Sequence, residues 1–279
     1  MMRPGIYPNI PDHKYRALPF LNWSRLKLVL DCPSKAKHYS DYGGGFVSEP
    51  MRRGTRVHTA VLESSKWNQT YKIKPDITKQ ELSFEKKPEG WMCAHPRGVI
   101  GPFKTKREAQ DVAPLYTFDG ADQGWPKAAD AKTAMADIYD GFKLITRDQH
   151  DHAMDTAQAV FSHKASADLL FSKMNTELTF VWVEEIGGHE ILCKGRADGY
   201  SRTAKVMIDL KTCKDSTLWG FSKDAFYRKY HAQLAFYARG LEKASKQSGE
   251  LVPWQVSRLA FIAVEHEPPF ATSFIELDP

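Results

Sequence analysis

The sequence predicts an α/β fold in which a central mixed sheet is flanked by helices. Three observations predict it. Helical periodicity dominates residues 21–65 and returns over 128–172. Three β-rich runs joined by short turns follow between Glu177 and Lys211. A helical run over about 223–244 then precedes an apolar strand over about 257–265. The order helix, three antiparallel strands, helix, strand lays helices over a mixed sheet.

Residues 1–20 read as extended and proline-rich. Asn22 or Ser24 caps a first helix carrying Leu26, Leu28 and Leu30. Cys32-Pro33-Ser34 ends it, and a short basic helix through Lys35 and Lys37 follows. A loop, Gly43-Gly44-Gly45, leads to a stronger helix over about 50–65. Residues 66–127 are rich in Gly and Pro, hold several Trp and show little sustained period. Within them, Gly101-Pro102 reads as a turn before a short helix start. The whole chain, 1–279, is expected to be a single domain, with 83–127 as an insertion or small subdomain within it. Over 128–172, Ala134, Ile138, Phe142 and Ile145 share one helical face, and Ala153, Ala157, Val160 and Phe161 continue it.

The first strand, Glu177–Val183, alternates, and Gly187-Gly188 supplies a hairpin turn. The second runs over Glu190–Asp198 and the third over Lys205–Lys211, with a short turn at Ser201–Ala204 between them. The following helix carries Tyr230, Gln233, Leu234, Tyr237 and Leu241.

Composition excludes several classes. The 279 residues are 42% hydrophobic, ordinary for a globular chain, and no run of about 18 apolar residues exists to span a membrane. The N-terminus has three prolines and no apolar core, unlike a signal peptide. Cys32, Cys93, Cys193 and Cys213 show no Cys-x-x-Cys spacing, which disfavours zinc or iron–sulfur sites and fits a reducing, cytoplasmic compartment. The net charge of +5 is compatible with a polyanionic partner.

The candidate chemistry lies on the second and third strands. Asp209 and Lys211 are two apart and so share a strand face. A hairpin at Ser201–Ala204 brings Asp198 beside Asp209. Asp209 stands in an apolar run, Val206-Met207-Ile208 with Leu210, where a charge is rare unless paired or metal-bound. Two carboxylates and an ammonium at one place suit metal-assisted phosphodiester hydrolysis: oxygen ligands for Mg²⁺, and a cation to orient the attacking water. The Leu210 carbonyl lies between them and is a further possible ligand. Taken alone, His58 is better explained as a polar core or surface residue, and Glu177 as an ordinary strand start, although Glu177 could add an acid for metal or water. Gln233 and Tyr237 share a helix face at i, i+4, either as a core pair or facing the site and a phosphate. Arg52, Arg53, Arg56, Lys223, Arg228 and Lys229 read either as solvated surface or as a phosphate track.

Together, His58, Gly195-Arg196-Ala197-Asp198, Ile208-Asp209-Leu210-Lys211-Thr212 and Gln233-x-x-x-Tyr237 resemble the motifs of the PD-(D/E)xK nuclease superfamily, in its RecB-like branch. Trp23-Ser24-Arg25-Leu26-Lys27, Cys32-Pro33-Ser34-Lys35-Ala36 and Arg53–His58 are similar to the RecE type, exodeoxyribonuclease VIII of prophage origin. The resemblance covers 20–65 and 175–265 well and 66–127 poorly. It implies a restriction-endonuclease-like core. It also implies a Mg²⁺-dependent exonuclease, with Mn²⁺ as a possible substitute, that degrades linear double-stranded DNA 5′→3′. The 3′ single-stranded tails would serve a RecT-like annealing protein, and a homo-oligomeric ring would enclose the DNA. The setting would be the cytoplasm of a bacterial host, phage-encoded or not, with no membrane partner. By residue, it implies His58, Asp198, Asp209 and the Leu210 carbonyl as metal ligands and Lys211 as positioner of water. Gln233 and Tyr237 would support the site and the scissile phosphate. The family pattern continues into further helix after the last strand, where this sequence reaches Pro279, and 83–127 departs from it. The alternatives are a RecB-like nuclease of other polarity or single-strand substrate, and a non-catalytic DNA-end-binding module.

Overall fold

The computed structural model describes residues 2–42, 48–73, 82–95, 98–113 and 141–277. Gly43-Gly44-Gly45, Ala134 and Ile138 lie outside them. The chain divides into two compact units, Met1–Ser64 with Ala153–Pro279, and Ser65–His152.

In the first unit the chain opens with β1 (Gly5–Tyr7) and α1 (Asp12–Ala17), so the opening residues are not simply extended. α2 (Trp23–Asp31) is capped as its sequence demands, the Asn22 side chain accepting from the Arg25 N–H at 3.0 Å. α3 (Pro33–Tyr42) and α4 (Glu49–Leu62) follow.

The second unit begins with α5 (Trp67–Thr70) and β2 (Tyr71–Ile73). β3 (Ser83–Lys87), β4 (Gly90–His95) and β5 (Gly98–Phe103) form an antiparallel meander, and α6 (Lys106–Val112) is capped by Thr105. Leu82, Cys93, Ile100, Phe103, Ala109 and Ala113 give the meander a small core of its own. β6 (Lys143–Ile145) pairs in parallel with β2. Ile145 was expected on a helix; it is buried on this strand instead, because the helical period starts only at Arg147.

α7 (Arg147–Ser162) leads back into the first unit and buries Ala153, Ala157 and Val160, the expected face. α8 (Lys164–Leu170) follows, then β7 (Met174–Ile186), β8 (His189–Ser201) and β9 (Val206–Cys213). The helix expected over 223–244 is two: α9 (Leu218–Arg228) and α10 (Tyr230–Gln247). Lys229 between them is left-handed (φ 59°, ψ 36°), which stops one helix and starts the next in a new direction. β10 (Arg258–Glu265) is not the last strand; β11 (Thr272–Glu276) pairs antiparallel with it.

The sheet order is β1-β7-β8-β9-β10-β11. β7, β8 and β9 are antiparallel, and β10 returns parallel to β9 after the α9–α10 crossover, so the sheet is mixed. α10 lies across the sheet and buries Leu234, Tyr237, Leu241 and Ala244 against Phe180, Trp182 and Phe261. Each fully buried large side chain there contributes about 1.5–3 kcal/mol. The helix comes close because residue 240 is Gly: a Cβ there would lie 2.6 Å from the Trp182 indole. Among the described residues no helix is long and apolar enough to cross a membrane. All four cysteines are free thiols.

Candidate active site

The site forms where the β8–β9 ladder opens. Pairing runs from Ser201–Val206 to Gly199–Ile208 and stops. One residue further along, the Asp198 carboxylate replaces the missing backbone partner: its Oδ2 accepts the Leu210 N–H at 2.7 Å. A side chain that takes a ladder hydrogen bond holds both strands at fixed separation while leaving its other lone pairs free.

Glu177 of β7 faces Asp198 across the other ladder, between the Thr176–Gly199 and Leu178–Ala197 pairs. Its backbone is left-handed (φ 49°), uncommon for a non-glycine residue and a local cost the fold must offset. His58 arrives from α4, which meets β9 where Gly54 faces Thr212. The His58 Nε2 lies 2.8 Å from the Leu210 carbonyl oxygen, and Nδ1 lies 3.6 Å from Asp198 Oδ2. Donor atoms of His58, Glu177 and Asp198 all fall within 4.8 Å of one another. Burial and the Asp198 charge push the Glu177 carboxyl up to about 7. Two crowded carboxylates beside an imidazole are a donor set that fits a hard divalent cation.

Asp209 is buried and ion-paired through Oδ2 with the Lys211 ammonium, as their shared strand face requires. Burial raises the Asp209 pKa, against the pull of Lys211. Burial also opposes the charge on Lys211, yet Asp209 and Asp198 outweigh it and hold the ammonium above the ordinary lysine range. Lys211 is therefore a cation and donor at neutral pH, not a base. Its Nζ also sits 4.8 Å from the Tyr230 ring centroid.

Gln233 hydrogen-bonds Tyr237, whose hydroxyl is buried and raised well above its usual pKa by that burial. The Tyr237 ring packs edge-on to Phe180 at 6.0 Å. Both rings occupy the space a side chain at Gly195 would need. Gln233 and Tyr237 thus form a packed pair behind the strands, with Tyr237 close enough to feel the Asp209 and Asp198 charges.

His58, Asp198, Leu210, Asp209 and Lys211 come together: strand spacing predicts Asp198, Asp209 and Lys211, whereas only the family resemblance predicts His58 here. Glu177 occupies the third place in the cluster, a position left open by the sequence. Arg196, not singled out beforehand, braces it: Nη1 lies 3.8 Å from Glu177 Oε2, Nε donates to Thr179 Oγ1 at 2.9 Å, and Nη2 donates to the Ile10 carbonyl at 2.8 Å. Lys194, two residues earlier, is buried and donates to the carbonyls of Tyr15 and Leu18 at 2.8 and 2.7 Å, pinning the N-terminal segment. The signal was present: Lys194, Arg196 and Asp198 alternate on one strand face. Of the basic residues read as a phosphate track, Arg56 is buried in an ion pair with Glu49 at 2.6 Å.

No protein of curated function matches. Among solved structures, the crystal structure of SSO0001 is similar at 16% identity over 47% of this chain, with a TM-score of 0.28; this chain spans 58% of that one. The family described as a PDDEXK-like domain of unknown function (DUF3799) matches residues 22–279. That span takes in α2 to β11 and every residue of the site. The chain belongs to this PDDEXK-like family, a nuclease class that is generally dependent on divalent metal.

Proposed function

We propose that the protein is a Mg²⁺-dependent exodeoxyribonuclease that degrades linear double-stranded DNA 5′→3′ and leaves 3′ single-stranded tails for recombination by annealing. The observation that carries the hydrolytic part is the buried Asp209, ion-paired with Lys211, beside the His58–Glu177–Asp198 cluster. Polarity, the 3′ tail, a RecT-like annealing partner and a homo-oligomeric ring rest on the likeness of the Trp23–Lys27, Cys32–Ala36 and Arg53–His58 segments to RecE-type enzymes. Work on linear DNA ends would place the protein in the cytoplasm of a bacterial host.

The residues suited to hold the cation are His58, Glu177, Asp198 and Asp209 with the Leu210 carbonyl. A divalent ion bound there would supply Lewis-acid stabilisation of the phosphodiester and acidify a water molecule. Lys211 then has two tasks. Its ammonium donates to the attacking water and fixes its direction, and its charge offsets the negative charge that grows on the phosphorus oxygens. Asp209 holds that ammonium in place. Asp198 ties the position of the Leu210 carbonyl to its own, so both would shift together. Gln233 and Tyr237 keep the wall behind the strands closed to water.

The test is linear duplex DNA labelled separately at its 5′ and 3′ ends, incubated with Mg²⁺. Early release of the 5′ label is expected. Early release of the 3′ label would keep a nuclease and reject the polarity, and retention of both labels by a protein that binds DNA would leave an end-binding module.

A further inference from the structure

The outer face of α9 breaks the usual rule for a surface helix. Trp219, Lys223, Phe226 and Tyr227 recur at i, i+4, i+7 and i+8, one stripe of the helix. Trp219, Phe226 and Tyr227 are 73, 70 and 78% exposed, while Phe221 and Ala225 on the opposite face are buried. Three large rings in open solvent on one short helix mark an interaction surface.

The chemistry of the stripe selects the partner. The Lys223 ammonium lies over the Trp219 ring, 4.6 Å from its centroid, and has no carboxylate within ion-pair distance among the described residues. Phe226 lies parallel to His231 at 6.2 Å and edge-on to Tyr227 at 5.8 Å. Lys27, whose Nζ donates to the Arg228 carbonyl, adds a further cation, as do Arg228 and Lys229, against Asp224 and Asp31. Next to His231 in the chain is Tyr230, whose ring faces the Lys211 ammonium and packs against Phe221, so the helix that carries the stripe also borders the site. A protein partner covering this face would bury the Lys223 ammonium, which meets Asp215 only at longer range, and the cores of protein interfaces are depleted in charge. Paired bases in a duplex hide the faces that rings stack on. Rings interleaved with cations match a single strand, whose bases stack while its phosphates meet the ammonium groups.

We infer that the outer face of α9, through Trp219, Lys223, Phe226 and Tyr227, is a base-stacking track for single-stranded nucleic acid beside the active site. This rests on the proposed action on DNA, of which it names the strand and the route.

The full-length protein is titrated in EDTA, by fluorescence anisotropy, against a labelled oligothymidylate of about 16 nucleotides and a blunt duplex of similar length. The double variant Trp219→Ala/Tyr227→Ala is expected to bind the oligothymidylate about ten- to hundredfold more weakly, with duplex affinity held within about twofold. Lys223→Ala should lower the slope of log K against log salt by about 0.7 for the single strand. An unchanged thermal midpoint keeps misfolding out of the comparison. Unchanged oligothymidylate affinity in the double variant would overturn the inference, as would equal losses on both DNAs. So would a fall in assembly mass by light scattering, which assigns the stripe to a second copy. Nucleotide release from linear duplex by the unaltered protein with Mg²⁺ judges the nuclease reading separately. Binding through the stripe without release rejects that reading and leaves the track; release with unchanged binding by the double variant does the reverse.

Discussion

Two regions of the first unit invert the ordinary pattern in opposite directions. On β9, charge sits where a strand should be apolar: Asp209 is buried in a run with Ile208 and Leu210, and Lys211 follows two positions on. On α9, rings sit in water where a surface helix should be polar. The β9 charges are compensated, by each other and by Asp198, and so are tolerated at a fixed geometry. Among the described residues, the α9 rings meet Lys223, His231 and one another, and they stay in solvent. The contrast teaches that the first inversion is complete in the folded protein and organises chemistry, whereas the second is unfinished and calls for a partner.

Substitutions can break or sharpen that contrast. The largest effect is expected at Lys211→Ala, which leaves Asp209 buried and alone and removes the cation facing the developing charge. Turnover on linear DNA should fall by about 10²–10³-fold or more while DNA binding in EDTA persists. Next comes Phe221→Ala, on the buried side of the helix that carries the stripe. Its ring packs against Phe261 at 5.2 Å, and its loss should cost about 3–5 kcal/mol in chemical denaturation. Gly195→Ala would force a methyl group into the Phe180 ring and cost about 1–3 kcal/mol, read as a lower melting temperature.

A third group of charges gives a control that is structural only. The Glu184 carboxylate accepts from Arg239 Nε and Nη2 at 2.9 and 3.0 Å, from Lys243 and from the Trp182 indole, and these bonds lower its pKa from 4.5 to about 2. A depressed acid stabilises the fold above its unfolded pKa. The stability difference between the unaltered protein and Glu184→Gln should be full at neutral pH, shrink as pH falls below 4.5, and vanish near 2. Unfolding measured across that range checks it; a difference that grows toward acid would reverse the sign. The smallest effect belongs to Trp219→Ala, which should leave stability within about 0.5 kcal/mol because its ring is in solvent.

Much of this was legible in the sequence where local rules decide. Asn22 caps its helix, Gly187-Gly188 turns its hairpin, and Asp198 meets the Asp209 strand because the turn at Ser201–Ala204 fixes the register. What stayed hidden depends on residues far apart in the chain. The break at Lys229 sits at a lysine, whose left-handed backbone has no local signature; its ammonium is held by Asp31, some two hundred positions earlier. β1 and β11 are short edge strands whose pairing is decided by β7 and β10. Glu177 looks like any strand-opening acid until Asp198 is placed opposite it and Arg196 beside it.

The central claim is that the β9 pair and its three neighbours form a metal-dependent hydrolytic site. Nucleotide release from linear duplex DNA tests it most directly, measured with Mg²⁺ and with EDTA, for the unaltered protein and for Asp209→Ala. The account predicts release with Mg²⁺ only, lost in the variant while DNA binding remains. Release that persists in EDTA, or that Asp209→Ala leaves unchanged, would contradict it.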